Sequence, residues 1–449
     1  MTILIASRRV VLAALLITSF SGHAEDWPQW LGPKRDGVWR ETGIVKKLPE
    51  QPDYRWRVNI GGGYAGPAVA DGRVFVMDRQ LAKEAANPED PFSQGTIRGS
   101  ERVVCLDEAT GTTLWVHEYD CPYTVSYAAG PRATPTVDDD RVYTLGTEGN
   151  FLCLDVKDGS VKWQKDFKKD YGVKTSTWGW ASAPLIDGDN VISIVGGDGS
   201  TVVAFDKMTG EEVWRALTAK EPGYSAPMIY ELNGRRQLII WHPQGIAGLD
   251  PKNGNVLWSH DWDVRFGLTA PTPRQSGDKL FFTTFYNGSL LLDLSSGKPE
   301  VLWQSKKISE KDTDILHSII STPVIAGETI YGVGSYGQLR GINLNTGDRL
   351  WEELEVVAGP KQERWGNAFI IPHEDHYFLF NERGDLILAN MTSAGYEELG
   401  RLHLIEPDNN DARTRRVVWS HPAFANGHVL VRNDHELVSV SLIEQPRTR

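Results

Sequence analysis

The chain has 449 residues, 40% of them hydrophobic and 24% charged, with 47 basic against 59 acidic side chains for a formal charge of −12. That balance excludes a surface built to hold phosphate backbones or anionic lipid, so no nucleic-acid partner is expected. Length alone suggests two or three domains.

Arg8 and Arg9 precede an apolar run from Val10 to Phe20, and Gly22 and Ala24 set small residues ahead of a cleavage point, so residues 1–24 read as a secretory signal. The run is 11 residues long. A membrane-crossing helix needs about 20, and no later stretch is as apolar, so no transmembrane segment is expected. The arginine pair in "SRRVVL" also fits twin-arginine export. Either route places the protein in the periplasm or outside the cell. Removing the signal takes two basic residues and no acids, which leaves a formal charge of −14.

Residues 25–53 read as an extension ahead of a strand, "YRWRVNI", at Tyr54 to Ile60. A repeat then begins: "LDEATGTTLW" (106–115), "LDVKDGSVKW" (154–163), "FDKMTGEEVW" (205–214), "LDPKNGNVLW" (249–258), "LDLSSGKPEVLW" (292–303) and "INLNTGDRLW" (342–351), with a worn copy at 389–400 that keeps Asn390 and Gly395 but has no tryptophan. Asp or Asn ending one strand can accept hydrogen bonds from the N–H groups of the following turn. The glycine four residues on supplies the left-handed backbone of a type I turn with a bulge. The tryptophan, on the returning strand, is expected to bury its ring against the neighbouring unit and to find a carbonyl for its indole N–H, as at Trp258. Cys105 and Cys153 occupy the position where other copies carry Ala204 or Gly248, so they read as small buried thiols, and three cysteines, Cys121 included, leave at least one unpaired within the chain.

Upstream of each hairpin comes a proline after small residues and then two apolar strands, as in "SAPLIDGDNVISIVG" (182–196). Each unit therefore predicts four short antiparallel strands. The tryptophans recur every 44 to 51 residues, a period expected of propeller blades. "SHPAFANGHVLVRND" and "ELVSVSL", after the worn copy, supply three strands and no fourth. The expectation is one all-β, eight-bladed propeller over residues 54–443, closed by Tyr54–Ile60 completing the last blade, with a tail at 444–449.

The repeat is similar to the tryptophan-docking motif of pyrroloquinoline quinone (PQQ) dehydrogenase propellers and of their non-catalytic BamB-type relatives; "CLDEATGTTLW" (Cys105–Trp115) carries it most fully. "DWPQWLGPKRDGV" (Asp26–Val38) resembles the start of exported PQQ-like propellers. The dehydrogenases of that family clamp the quinone between a tryptophan and a disulfide of adjacent cysteines, beside a calcium or lanthanide ion. This chain has no adjacent cysteines, is shorter and lacks a cytochrome motif. The resemblance thus implies the scaffold without the cofactor.

Just before the first strands of successive units stand Tyr64, Arg132, Trp178 and Trp180, Tyr224, Arg265 and Phe266, His317, Arg364 and Trp365, and Trp419 with His421. As a ring of flat, partly polar groups these suit stacking on a sugar or on side chains of a partner; as structure they fill gaps between wedge-shaped blades. Tyr64, Arg132, Trp178, Trp180, Tyr224, Phe266, Arg364, Trp365 and Trp419 are taken as the candidate binding set. The insertion Asp78–Arg102 falls on the same face and is expected to cover the channel mouth. His373 and His376 read as solvated turn residues, and Asp408 and Asp411 offer oxygen ligands without an EF-hand pattern. No catalytic or metal-ligating residue is assigned. The expected protein is a monomeric, non-catalytic scaffold binding a cell-envelope protein or glycan, with no cofactor; the alternative is a PQQ-dependent oxidoreductase in which Trp180 or Trp365 stacks on the quinone and a carboxylate holds calcium.

Overall fold

A computed structural model describes residues 24–357, 359–411 and 415–444. The expected signal segment 1–24, apart from Ala24, and the expected tail 444–449, apart from Glu444, lie outside the described residues. Eight four-stranded antiparallel sheets form an eight-bladed β-propeller. Seven blades are continuous in sequence, over 68–120, 136–166, 185–216, 228–261, 274–304, 324–353 and 368–403. In the eighth, Tyr54–Asn59 pairs with Glu436–Ser441 outside His428–Arg432 and Ala423–Ala425, with Trp56 opposite Ser439. This pairing gives the chain's first long strand a partner and removes an open edge.

We name the strands of each blade A to D from the channel outwards. B and C strands are sandwiched between neighbouring blades and are buried almost throughout, as in Phe151 to Leu154, which explains their uninterrupted apolar runs. D strands alternate. Trp115 turns inward while Leu114 and Val116 face outward at the rim.

The repeat aspartates work as their spacing predicts. Asp107 Oδ1 accepts from the N–H of Thr110 at 2.8 Å, and Asn343 Oδ1 accepts from those of Asn345 and Thr346 at 2.8 and 3.1 Å. The glycines of the six tryptophan-bearing copies have φ from 70° at Gly111 to 81° at Gly297, whereas Gly395 of the worn copy is extended at 159°, and a register shift accompanies the C–D pairing, as between Cys105 and Leu106. The tryptophan N–H groups reach the next blade: Trp56 to Glu108 O, Trp115 to Val156 O, Trp163 to Lys207 O and Trp303 to Leu344 O, at 2.7 to 3.0 Å. Trp258 departs from this expectation. Its N–H donates to Gln237 Oε1 of its own blade at 2.6 Å, because buried Gln237 offers a nearer acceptor and the fifth copy carries two extra residues in its turn. Cys105, Cys121 and Cys153 are buried, unbridged thiols.

The N-terminal extension fills the channel. Trp27 exchanges two 2.9 Å backbone hydrogen bonds with Val69 of blade 1, and the N–H of Val137 in blade 2 donates to Pro28 O at 2.8 Å. Trp30 donates to Thr272 Oγ1 ahead of blade 5, and its ring lies 4.7 Å from that of His421 ahead of blade 8. Arg35 donates to Pro184 O and Pro227 O ahead of blades 3 and 4. Trp39 then joins blades 7 and 8, its ring 5.5 Å from Phe378 and 5.0 Å from Phe424. Contrary to its turn signature, His373 is not a solvated turn residue, since Trp39 covers it at 4.9 Å and Trp39 O accepts from its Nδ1–H at 3.1 Å.

Candidate binding face

Connections between blades and the B–C turns share one face, and the ring of aromatics stands there. The B and C strands of blade 1 extend to Leu81 and Gly99, so the loop of the insertion is 82–98. It crosses the mouth. Phe92 lies 5.1 Å from Tyr127, in the connection after blade 1, and 5.6 Å from Trp365, ahead of blade 7. Hydrogen bonds to its carbonyls hold it, from the Tyr127 N–H to Pro91 O and from the Asn410 side-chain amide to Glu89 O. Beneath it, buried Arg79 sits over the Tyr123 ring at 4.0 Å and donates to Ala128 O and Ile97 O, so its charge meets carbonyl dipoles and a π-face. Burial lowers its pKa from the ordinary arginine value.

The candidate set divides by exposure. Trp180 is 1% exposed, donates to Val195 O at 2.9 Å and packs on Phe167, so it belongs to the wall between blades 2 and 3. Tyr224 is buried beside half-buried Trp178 at 5.8 Å, and burial pushes its phenol up to about 12. Tyr64 and Arg132 stack at 5.0 Å, with Arg132 spending its donors on Gly130 O and Ser126 O. Trp365 is buried under the Arg364 guanidinium at 4.5 Å, and Arg364 pairs with Glu310. Trp419 lies 5.9 Å from Tyr127 and donates to Glu382 Oε2 at 3.0 Å. Phe266 alone is largely free, at 59% exposed.

The insertion and these groups connect Trp419, Tyr127, Phe92, Trp365, Arg364 and Glu310 in one line across blades 8 to 6. Tyr336 donates to Glu310 Oε1 at 3.0 Å. Beyond them, Arg265 stands 4.7 Å over Tyr286 and 5.0 Å over Phe266, and Phe266 meets Tyr286 at 5.3 Å. Ser309 donates to Tyr286 O, which sets its neighbour Ile308, 65% exposed, beside this group.

Glu382 is a residue the sequence reading missed. It is 1% exposed in the B–C turn of blade 7, 3.1 Å from Arg415, and accepts from Trp419 and from the N–H of Asn367. Burial outweighs these partners and raises its carboxyl to about 7. Glu148 occupies the B–C turn of blade 2 in the same way, bound to Lys168 at 2.8 Å and Thr175 at 2.7 Å. An acid directly after an apolar strand, close to glycine, was the available signal: "TEGN" and "NERGD". Asp408 and Asp411 do not converge, because the first pairs with His435 at 2.6 Å and the second with Arg415 at 3.1 Å.

A quinone stacked on an indole needs an open ring face, and neither Trp180 nor Trp365 offers one. The thiols of Cys105 and Cys153 lie in strands of different blades and Cys121 follows the strand Thr113–Asp120, and no group of three or more His, Cys, Asp or Glu side chains among the described residues is arranged to hold a metal ion. The residues present do not fit PQQ with calcium at these positions. No helix among the described residues is long and apolar enough to cross a membrane.

Residues 99–353 match the family model described as outer membrane protein assembly factor BamB. The BamB of Shewanella oneidensis is 22% identical over 333 residues, 68% of this chain and 72% of that protein. The crystal structure of BamB from Moraxella catarrhalis superposes with a TM-score of 0.53 at 14% identity, covering 88% of this chain and all of that one. The computationally designed protein Ika8 gives a TM-score of 0.52 at 13% identity, covering 87% of this chain and all of that one. At these identities the solved structures share the fold.

Proposed function

Because the chain belongs to the outer membrane protein assembly factor BamB family, we propose that it is an exported, non-catalytic propeller whose loop face holds a protein of the cell envelope. The observation that carries this reading is Phe266. Its backbone stands at φ 58°, a left-handed conformation costing a non-glycine residue about 1–3 kcal/mol, yet its ring is exposed and gains little from burial. Arg265, exposed beside it, has no carboxylate at ion-pair distance among the described residues. Exposed aromatic, arginine and aliphatic groups held together are the composition of an interface centre. The rings suited to stacking a small flat ligand are instead covered by the protein's own groups, which supports a protein partner over a glycan or a quinone.

A photo-crosslinking residue placed at Ile308 in living cells tests this. The expected result is a discrete protein adduct that is lost when Phe266→Ala and Arg265→Gln are combined, with the melting temperature within about 2 °C of the parent. An adduct to polysaccharide, or a protein adduct indifferent to those substitutions, overturns the reading. Titration with PQQ and calcium should give neither a shift in quinone absorbance nor added thermal stability.

A further inference from the structure

At the opposite end of the channel, towards the A–B hairpins, a cavity of about 440 Å³ lies between the plug and the inner strands of blades 3, 4 and 5. Its charge is opposite to that of the molecule. Lys34, Arg35, Arg236 and Arg274 line it against one acid, Asp36. Asp36 is already matched by Arg40, and Arg236 by Asp187 at 2.5 Å. Lys34, Arg35 and Arg274 have no carboxylate partner among the described residues.

Arg35 is the most telling of the three. It is 5% exposed, its terminal nitrogens reach Gln29 Oε1, Pro184 O, Ala183 O and Pro227 O at 3.0 to 3.5 Å, and its Nε–H has no acceptor among the described residues. The Arg274 guanidinium makes a single hydrogen bond among the described residues, to Asp36 O at 2.6 Å, which leaves most of its fork uncommitted. Burying a guanidinium without a counter-charge is costly, and a bound anion offsets that cost. The remaining lining includes Leu185, Met228 and Ile229, and the volume falls within the range of small-molecule sites.

We propose that this cavity binds a small amphiphilic anion, its carboxylate or phosphate head held by Arg274 and Lys34 where it offsets the buried charge of Arg35, and its apolar body laid on Leu185, Met228 and Ile229. The site is formed jointly by the plug and the blades, and it lies away from the partner face, so it stands or falls separately from that reading.

Calorimetric titration of the mature chain with 2-naphthoate, and with 2-naphthalenemethanol as the neutral counterpart, tests it. 2-Naphthoate is expected to bind with a Kd of about 1 mM or tighter, weakening with added salt, and the alcohol at least about tenfold less tightly. Arg274→Gln should weaken 2-naphthoate about tenfold, in keeping with loss of a charge-assisted hydrogen bond, at unchanged melting temperature. Should that variant fail to fold, exposed Lys34→Gln should weaken binding in the same direction. 2-Naphthyl phosphate decides the head group: tighter binding than 2-naphthoate assigns a phosphate, weaker a carboxylate, and either agrees with an anion site. A flat titration with both anions, equal binding of the alcohol, or affinity unchanged in both variants overturns the proposal.

Discussion

The ring of Trp115 lies 2.5 Å from the point where a Cβ on Gly159 of the next blade would stand, and its indole N–H donates to Val156 O three residues before that glycine. Left-handed backbone and room for the neighbour's indole therefore fall on one residue. The same approach recurs at Gly210 against Trp163 and at Gly254 against Trp214.

Gly159→Ala is expected to cost clearly more than Gly188→Ala. Both positions have positive φ, 72° and 61°, but a Cβ at Gly188 meets nothing within 4 Å. The backbone alone costs about 1 kcal/mol, and overpacking against Trp115 adds about 1–3 kcal/mol. Urea denaturation of the two variants measures the difference. Equal losses would mean that the indole does not dock there.

Trp180→Ala should destabilise the protein by about 3–5 kcal/mol, as removal of a buried aromatic does. Trp178→Ala, on a half-buried ring two residues away, should cost far less. Near-equal melting temperatures would return Trp180 to the list of contact residues.

Glu382 sets a pH dependence of definite sign. Its folded carboxyl titrates near 7, above the unfolded value of 4.5, so the folded state holds the extra proton between those values. Stability is then lost as pH rises from 4.5 to 7, by about 3 kcal/mol in all, and is level above. Buried His421, lowered to about 4 by burial, acts the other way, losing stability as pH falls from 6.5 towards 4. Denaturation of the parent and of Glu382→Gln at pH 5 and 8 separates the two. The parent should fall relative to the variant at pH 8, and a constant difference would contradict a buried carboxyl of this kind.

The thiols should be inert in the folded protein. Burial pushes Cys105 and Cys153 up to about 11 and Cys121 higher still. A disulfide reagent at pH 8 is expected to release no colour until denaturant is added, and then three equivalents per chain. Rapid reaction of one thiol beforehand would show that its strand opens.

Blade number, ring closure and the place of the insertion were legible because each depends on local spacing: Asp107 to Gly111 to Trp115 is a turn and a strand, and Trp56 repeats the strand without the turn. The residues that escaped the reading depend on distant partners. His373 carries a turn signature, and only Trp39, far away in sequence, buries it. Trp258 matches its siblings, yet Gln237 takes its N–H. "DWPQWLGPKRDGV" was visible as a motif, but nothing in its own pattern reveals that Arg35 would end among the carbonyls of blades 3 and 4. Among the ring residues, position was readable and exposure was not, since what covers Trp365 is Phe92 from another blade's loop together with Arg364.

The plug also orders events in time. Trp27 to Trp39 and the strand from Tyr54 are made early, yet their partners include His373, Phe424 and Ser439, which are made far later. These segments must wait, unsatisfied and rich in indole, until blades 7 and 8 have been made, which gives maturation a high contact order and a long interval of vulnerability. Once Glu436–Ser441 arrives, the strand from Tyr54 is fastened and the ring shuts, so no blade among the described residues is left with a loose hem from which to unravel.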